Sequence, residues 1–218
     1  MIPEAIIFDM DGTLMNNNPY HFKAWQTFYK QYNRSLTLDD YKNQISGHTS
    51  TEIFQTFFGK VMTPEEVTTH SNEKNLLYRE LYKPDIKPLD GLIDFLQGVK
   101  AANIPMAIAT SGSPANVRFM FDNIPIEQYF SHVIDASDVI KGKPDPEIFL
   151  KAAQSVNANP TKCVAFEDSF AGIASAKAAG MKVIGVATME RKEEMKETAL
   201  VIDDYTQIDL AKIEKLMK

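Results

Sequence analysis

Hydrophobic and polar positions divide this chain into two unlike regions. Short apolar runs predict buried strands in residues 1–15 and again beyond residue 87, and apolar positions at helical spacing predict helices between them. The predicted strands are 5–8, 106–110, 132–134, 163–166, 183–186 and 200–202. The predicted helices of this region are 89–102, 114–121, 146–156, 169–179, 190–197 and 210–217. Such alternation predicts a parallel, doubly wound sheet with helices on both faces.

The segment 16–86 carries only helical patterns. Its predicted helices are 20–32, 37–42, 50–58 and 63–82. Asparagine and proline cluster where the segment begins, and two prolines stand near its end. We therefore predict a Rossmann-like α/β core domain, residues 1–15 and 87–218, with an all-helical domain inserted at 16–86.

The net charge, the cysteine count and the lengths of the apolar runs limit which partners and which compartment are expected for the protein. The chain has 218 residues, 44% of them hydrophobic, a net charge of −6 and one cysteine. An acidic chain argues against nucleic acid or an anionic membrane as the main partner. The single cysteine, Cys163, excludes an internal disulfide and lies in an apolar run, which favours a buried thiol over a nucleophile. With no signal peptide or membrane-spanning run in the sequence, we expect a cytoplasmic monomer.

Polar chemistry follows the first strand directly. Asp9 and Asp11 come after the apolar run 5–8, and alternation along an extended chain lets both point into one pocket. Gly12 then allows a sharp turn. Two carboxylates at the carboxyl end of a buried strand stand where open α/β sheets hold their ligands, and a divalent cation would keep both ionised. A plain surface turn is the alternative interpretation of this short motif.

Two more predicted strands end in polar groups. Thr110, Ser111 and Gly112 close the strand at 106–110 and could bind a phosphoryl group through a hydroxyl and two amides, or could form a helix-capping turn. Glu167 and Asp168 follow the strand at 163–166 and form a second acidic pair, which suits Mg²⁺ unless they only cap the next helix.

A lysine near Pro144 could place an ammonium against a phosphate and against Asp9. Both Lys141 and Lys143 occur there, and spacing alone does not choose between them.

The motif Asp9–Leu14 (D-M-D-G-T-L) resembles the nucleophile motif of the haloacid dehalogenase (HAD) superfamily. The whole layout is similar to members with a small helical cap inserted after that motif, of the β-phosphoglucomutase-like subgroup. In this pattern Thr110 aligns with the phosphate-binding residue, the lysine directly before proline is Lys143, and E-D-S-x-x-G at 167–172 matches the fourth motif.

The resemblance implies a Mg²⁺-dependent enzyme working through an aspartyl phosphate on Asp9. Mg²⁺ would be held by Asp9, Asp168 and the Asp11 backbone carbonyl, with Glu167 holding a metal-bound water. The Asp11 carboxyl would act as general acid and base, and Lys143 would offset negative charge.

The choice of acceptor is expected to lie in the inserted domain. His21 falls in a segment similar to the first cap helix of β-phosphoglucomutase-like proteins, and Lys74 could supply a cation. Ser50, three residues after Gly47, stands where true β-phosphoglucomutases carry a phosphate-gripping arginine. This departure favours a phosphatase acting on a small phosphorylated metabolite over a phosphomutase. A non-catalytic phospho-accepting module is a third hypothesis, because receiver domains share the sheet type and an Asp–Mg²⁺ site.

Overall fold

A computed structural model describes residues 1–45 and 49–218, and of residues 42 and 43 only the backbone. The described chain forms two compact units: a core unit, residues 1–16 with 86–218, and a helical unit, residues 17–85. That these units act as a catalytic domain and a cap stays a prediction.

The core unit is built on one parallel six-stranded sheet. Its strands are β1 (Ala5–Phe8), β2 (Met106–Ala109), β3 (His132–Ile134), β4 (Cys163–Glu167), β5 (Lys182–Val186) and β6 (Leu200–Ile202). Their order across the sheet is β3-β2-β1-β4-β5-β6, and every neighbouring pair is parallel. The predicted α/β class is therefore confirmed. Strand order reverses between β1 and β4, which is where doubly wound sheets place their ligands.

The central strands form because their side chains are apolar on both faces, as expected for a strand covered by helices on each side. All four residues of β1 are fully buried, and Phe8 is paired in register with Phe166 of β4, their rings stacked 5.1 Å apart. The core helices are α5 (Leu92–Ala101), α6 (Pro114–Asn123), α7 (Glu147–Ser155), α8 (Phe170–Ala178) and α9 (Leu210–Leu216). Cys163 is a buried strand residue, and burial raises the pKa of its thiol to about 11, which suits a structural role.

The helical unit contains α1 (Asn18–Gln31), α2 (Leu38–Gln44), α3 (Ser50–Phe58) and α4 (Pro64–Tyr82). Capping boxes at Thr37, Thr49 and Thr63 begin the last three of these helices, so two amide donors at each helix start are satisfied locally. Aromatic side chains fill the space between the helices, among them Trp25 and Phe54 at 5.4 Å. Among the described residues, no helix has the length and apolar character to cross a membrane.

One predicted helix, 190–197, is wrong. The segment has helix-favouring residues, but only a 3₁₀ turn at Lys192–Glu194 forms. Met195 is 1% exposed, and its methyl lies against Gly185 of β5, so burial of this side chain fixes the segment on the sheet. Packing has overridden helix propensity here.

A backbone hydrogen bond joins the two segments of the core unit that flank the inserted helical unit. The amide of Leu89 donates to the carbonyl of Leu14 at 3.0 Å. Both residues belong to the core unit, so this bond holds the ends of the insertion together without any contact from the helical unit.

Candidate active site

Three strand ends of the core unit converge at one edge of the sheet. β1 lies between β2 and β4, so the residues that follow these three strands are direct neighbours. The pairing of Phe8 with Phe166 sets Asp9 beside Glu167, and the Asp9 amide donates to the Phe166 carbonyl at 2.9 Å. The register of two buried strands thus places two acids of distant sequence next to each other.

Lys143 joins these acids. Its ammonium donates to Asp9 Oδ1 and to Glu167 Oε1, each at 2.6 Å, and its side chain is only 7% exposed. Lys141, the other lysine before Pro144, is 72% exposed and lies 3.6 Å from Asp145. Lys143, and not Lys141, is therefore the lysine that the structure places against the acids of the site.

Asp168 completes the group and is linked to a residue that sequence reasoning missed. One carboxylate oxygen each of Asp9, Glu167 and Asp168 lies within 4.8 Å of the other two. The hydroxyl of Thr188, just after β5, donates to the Gly12 carbonyl at 2.6 Å and lies 3.4 Å from Asp168 Oδ2. Thr188 is a polar residue following a buried strand, so the rule that singled out Asp9 and Asp168 would also have found it.

The turn after β2 lies near Asp11. The Thr110 hydroxyl accepts from the Gly112 amide at 2.9 Å and keeps its own proton to donate, while Ser111 is exposed. A Cβ placed on Gly112 would stand 3.1 Å from Thr110 Oγ1 and 3.4 Å from Asp11 Oδ2. Both side chains therefore approach the same small space above this glycine. The Gly112 amide donates to the Thr110 hydroxyl here, although its place in the motif predicts a contact with phosphate.

Gly172 makes room for the Glu167 carboxylate. A Cβ at this position would lie 1.7 Å from Glu167 Oε1, far inside van der Waals contact. That carboxylate is also held by the amide and hydroxyl of Ser169, at 2.8 and 3.0 Å, and by Lys143. The glycine of the E-D-S-x-x-G motif is thus explained by close approach of an acid already fixed by three donors.

Replacing Gly172 with alanine should displace Glu167 and disrupt its contact with Lys143. We expect kcat/KM to fall about 100-fold, the size of a catalytic misplacement of roughly 1 Å. We also expect the free energy of unfolding to fall by about 1–3 kcal/mol from overpacking. Gly98→Ala is the matched control, because a Cβ on that glycine of α5 meets nothing within 4 Å. It should leave activity unchanged and stabilise by up to about 1 kcal/mol; equal losses in both variants would contradict this explanation.

Burial dominates the electrostatics of the site. Desolvation, with smaller contributions from Glu167 and Asp11, raises the pKa of Asp9 to about 7 against the opposing charge of Lys143. Burial would lower the pKa of Lys143, but Asp9 and Glu167 outweigh it and raise that pKa above its usual value. Burial thus favours the neutral form of Asp9, and the single charge of Lys143 does not fully offset this effect.

This raised pKa predicts how pH affects the metal-free protein. Between about pH 4 and pH 7 the folded state holds a proton on Asp9 that the unfolded state has lost, so stability falls as the pH rises through this window. With EDTA present, Asp9→Asn should therefore gain thermal stability relative to the parent protein, by several degrees, as the pH rises from about 5 to about 7.5. Melting curves of both proteins measure this, and a constant difference across the range would contradict the assignment.

The residues present fit a divalent cation. Asp9, Glu167 and Asp168 offer hard oxygen donors only, the set that Mg²⁺, Mn²⁺ and Ca²⁺ prefer. The repulsion between Asp9 and its acidic neighbours, which contributes to the raised pKa of Asp9, is what such an ion would offset.

The helical unit brings together two of its three predicted residues. The ammonium of Lys74 lies 3.4 Å from His21 Nδ1 and 5.3 Å from the centre of the Trp25 ring, and Lys74 is 9% exposed. The His21 ring stacks on Tyr78 at 3.9 Å. Ser50, the third, is an exposed residue at the start of α3, and Gly47, from which its position was counted, lies outside the described residues.

The sequence and the fold are similar to those of known proteins. A family model described as haloacid dehalogenase-like hydrolase matches residues 6–186. A phosphorylated carbohydrates phosphatase of Thermotoga maritima is 30% identical over 83% of this chain and 83% of its own length. The β-phosphoglucomutase of Bacillus subtilis is 32% identical over 84% of this chain and 83% of its own. The crystal structure of a HAD hydrolase from Entamoeba histolytica superposes with a TM-score of 0.91 and 32% identity, covering 98% of each chain.

Proposed function

We propose that this chain, which belongs to the haloacid dehalogenase-like hydrolase family, is a Mg²⁺-dependent phosphatase of small phosphorylated sugars. The chain is an enzyme that acts on phosphate esters, as its phosphatase and phosphomutase relatives are. The observation that carries the proposal is the convergence of Asp9, Glu167 and Asp168 at the carboxyl edge of the sheet, with Lys143 bound to the first two.

Asp9 is proposed as the nucleophile. Its carboxylate attacks phosphorus, the ester P–O bond breaks, and an aspartyl phosphate forms. Asp11, near Thr110 and the turn at Gly112, donates its proton to the departing oxygen. Water then attacks the aspartyl phosphate, Asp11 takes up its proton, and inorganic phosphate leaves. This sequence regenerates both acids in their starting protonation states.

The remaining residues bind and orient the phosphoryl group. Thr110 donates its hydroxyl proton to a phosphoryl oxygen, and Ser111 and Gly112 supply amides once the Gly112 amide is released. Lys143 offsets negative charge at Asp9 and on the transferring group. Mg²⁺, held by Asp9, Asp168 and the Asp11 carbonyl with Glu167 beside it, would neutralise phosphate charge and orient the ester for in-line attack.

The helical unit is proposed to select the substrate. Lys74 supplies a buried ammonium 3.4 Å from His21 Nδ1, whereas Ser50 offers a hydroxyl that lacks the bidentate grip of arginine on a second phosphate. The second candidate function is a phosphomutase of β-phosphoglucomutase type, which the 32% identity to such an enzyme favours. That the protein is a cytoplasmic monomer with no nucleic-acid or membrane partner stays a prediction.

A panel of sugar phosphates assayed with Mg²⁺ tests the proposal. Inorganic phosphate release and sugar phosphate isomers would be measured in the same reactions, with and without EDTA. A phosphatase should release phosphate in proportion to substrate lost, and EDTA should abolish it while added Mg²⁺ restores it. Isomer formation without free phosphate would support the mutase, and full turnover in EDTA would refute the metal-dependent mechanism.

A further inference from the structure

The loop that presents Lys143 is anchored at both ends by residues with no contact to the reacting groups. We propose that Glu147 and Ser175 are positioning residues that hold this loop, residues 138–145, and thereby place the Lys143 ammonium. The inference rests on the proposed function, since it assigns these residues to phosphoryl transfer.

Burial does little to hold this loop. It has no regular secondary structure, and Ile140, its large apolar residue three positions before Lys143, is 93% exposed. Val139 is only partly buried against the core. Polar contacts must therefore hold the segment in place.

Glu147, at the start of α7, holds the first half of the loop. Its carboxylate accepts the amide of Lys141 at 2.9 Å and the amide of Ile140 at 3.1 and 3.2 Å. Lys151, one turn along α7, pairs with Glu147 at 2.8 Å and donates to the Asp138 carbonyl at 2.5 Å. The Lys151 bond and the two amide bonds hold the pKa of Glu147 at about 2, so the anchoring carboxylate stays ionised at neutral pH.

Ser175 holds the second half. It lies on α8, is fully buried, and donates its hydroxyl to the carbonyl of Asp145 at 2.6 Å, thirty positions away in sequence. Its neighbours in sequence on this helix are Ala174 and Ala176, so the Ser175 hydroxyl is the polar group that this buried position of α8 supplies. Lys143 stands between the two anchored points, at residues 141 and 145.

Two anchors matter because lysine is a flexible point charge. Its ammonium lies 2.6 Å from both Asp9 and Glu167. If the backbone of the loop moves, the flexible side chain is able to keep one of these two contacts but not both. A displacement of about 1 Å in catalytic groups is able to lower turnover by up to ~100-fold.

The test compares Ser175→Ala and Glu147→Gln with matched controls in the full-length protein. Ser155→Ala removes a hydroxyl that binds only a carbonyl of its own helix, at 2.8 Å. Glu4→Gln alters a carboxylate that also accepts a backbone amide and pairs with a lysine, but before β1, at the opposite end of that strand. Turnover of p-nitrophenyl phosphate, melting temperature and amide hydrogen exchange would be measured for all four.

We expect kcat to fall about 10-fold in each test variant with KM within about threefold, and to remain unchanged in both controls. Exchange should accelerate in peptides covering 138–145 and not elsewhere. In a Lys143→Met background, Ser175→Ala should change kcat by less than twofold, because its effect acts through that lysine.

Unchanged exchange in the loop would overturn the anchoring, and faster exchange with unchanged kcat would overturn its catalytic significance. A full additional loss in the Lys143→Met background would show that Ser175 acts by another route. If the parent protein released no phosphate from any ester, the proposed function would fail, and hydrogen exchange alone would decide whether the two residues hold the loop.

Discussion

Asp9→Asn should abolish phosphate release, with kcat lowered by about 10⁴-fold or more, because an amide oxygen is a poor nucleophile toward phosphorus. Asparagine is nearly isosteric and is able to remain beside Lys143, so the variant should fold. Phosphate release and melting temperature would be measured together.

Asp122→Asn is a suitable control, since Asp122 is an exposed partner of Arg118 at 2.8 Å on α6. Such surface pairs contribute about 0–1 kcal/mol, and activity should not change. Retention of more than a tenth of the parent turnover in Asp9→Asn would remove this carboxylate from the nucleophile role.

Lys143→Met should have the second largest effect. Methionine keeps much of the side-chain volume but leaves Asp9 and Glu167 without their shared cation. We expect kcat to fall about 10³-fold and the free energy of unfolding to fall by about 3–5 kcal/mol, the usual result of breaking a buried charge pair. Urea unfolding and steady-state kinetics measure the two quantities.

Lys141→Met provides the control for this variant. The two lysines are separated by one residue, yet Lys141 is mostly exposed and reaches only Asp145, at 3.6 Å. Its loss should change stability by less than about 0.5 kcal/mol and activity by less than about twofold. Similar losses in both variants would mean that the loop, not the Lys143 ammonium, carries the effect.

Much of the core could be predicted because its signals are local. The apolar runs of β1, β2 and β4 are unbroken, and each ends in a polar group, so strand positions and the candidate acids Asp9 and Glu167 followed together. The segment 190–197 could not be predicted in this way, since it was decided by burial of Met195 against β5. Long-range packing of this kind leaves no periodic trace in the sequence.

The contacts within the site required coordinates. Spacing alone did not distinguish Lys143 from Lys141; the family resemblance selected Lys143, and the path of the loop gives the physical reason, because it buries Lys143 and leaves Lys141 exposed. Likewise, the anchoring by Ser175 joins residues thirty positions apart through one hydroxyl, and no local pattern indicates such a bond.

The backbone hydrogen bond between Leu89 and Leu14 has an evolutionary consequence. It closes the core where residues 17–85 depart and return, and β1 pairs directly with β2 whatever lies between them. Lengthening a closed loop is cheap, at about 0.6 kcal/mol for each doubling. Recombination could therefore exchange one inserted segment for another of different size while the sheet stays intact; if the inserted unit selects the substrate, as proposed, specificity would then change without altering the core.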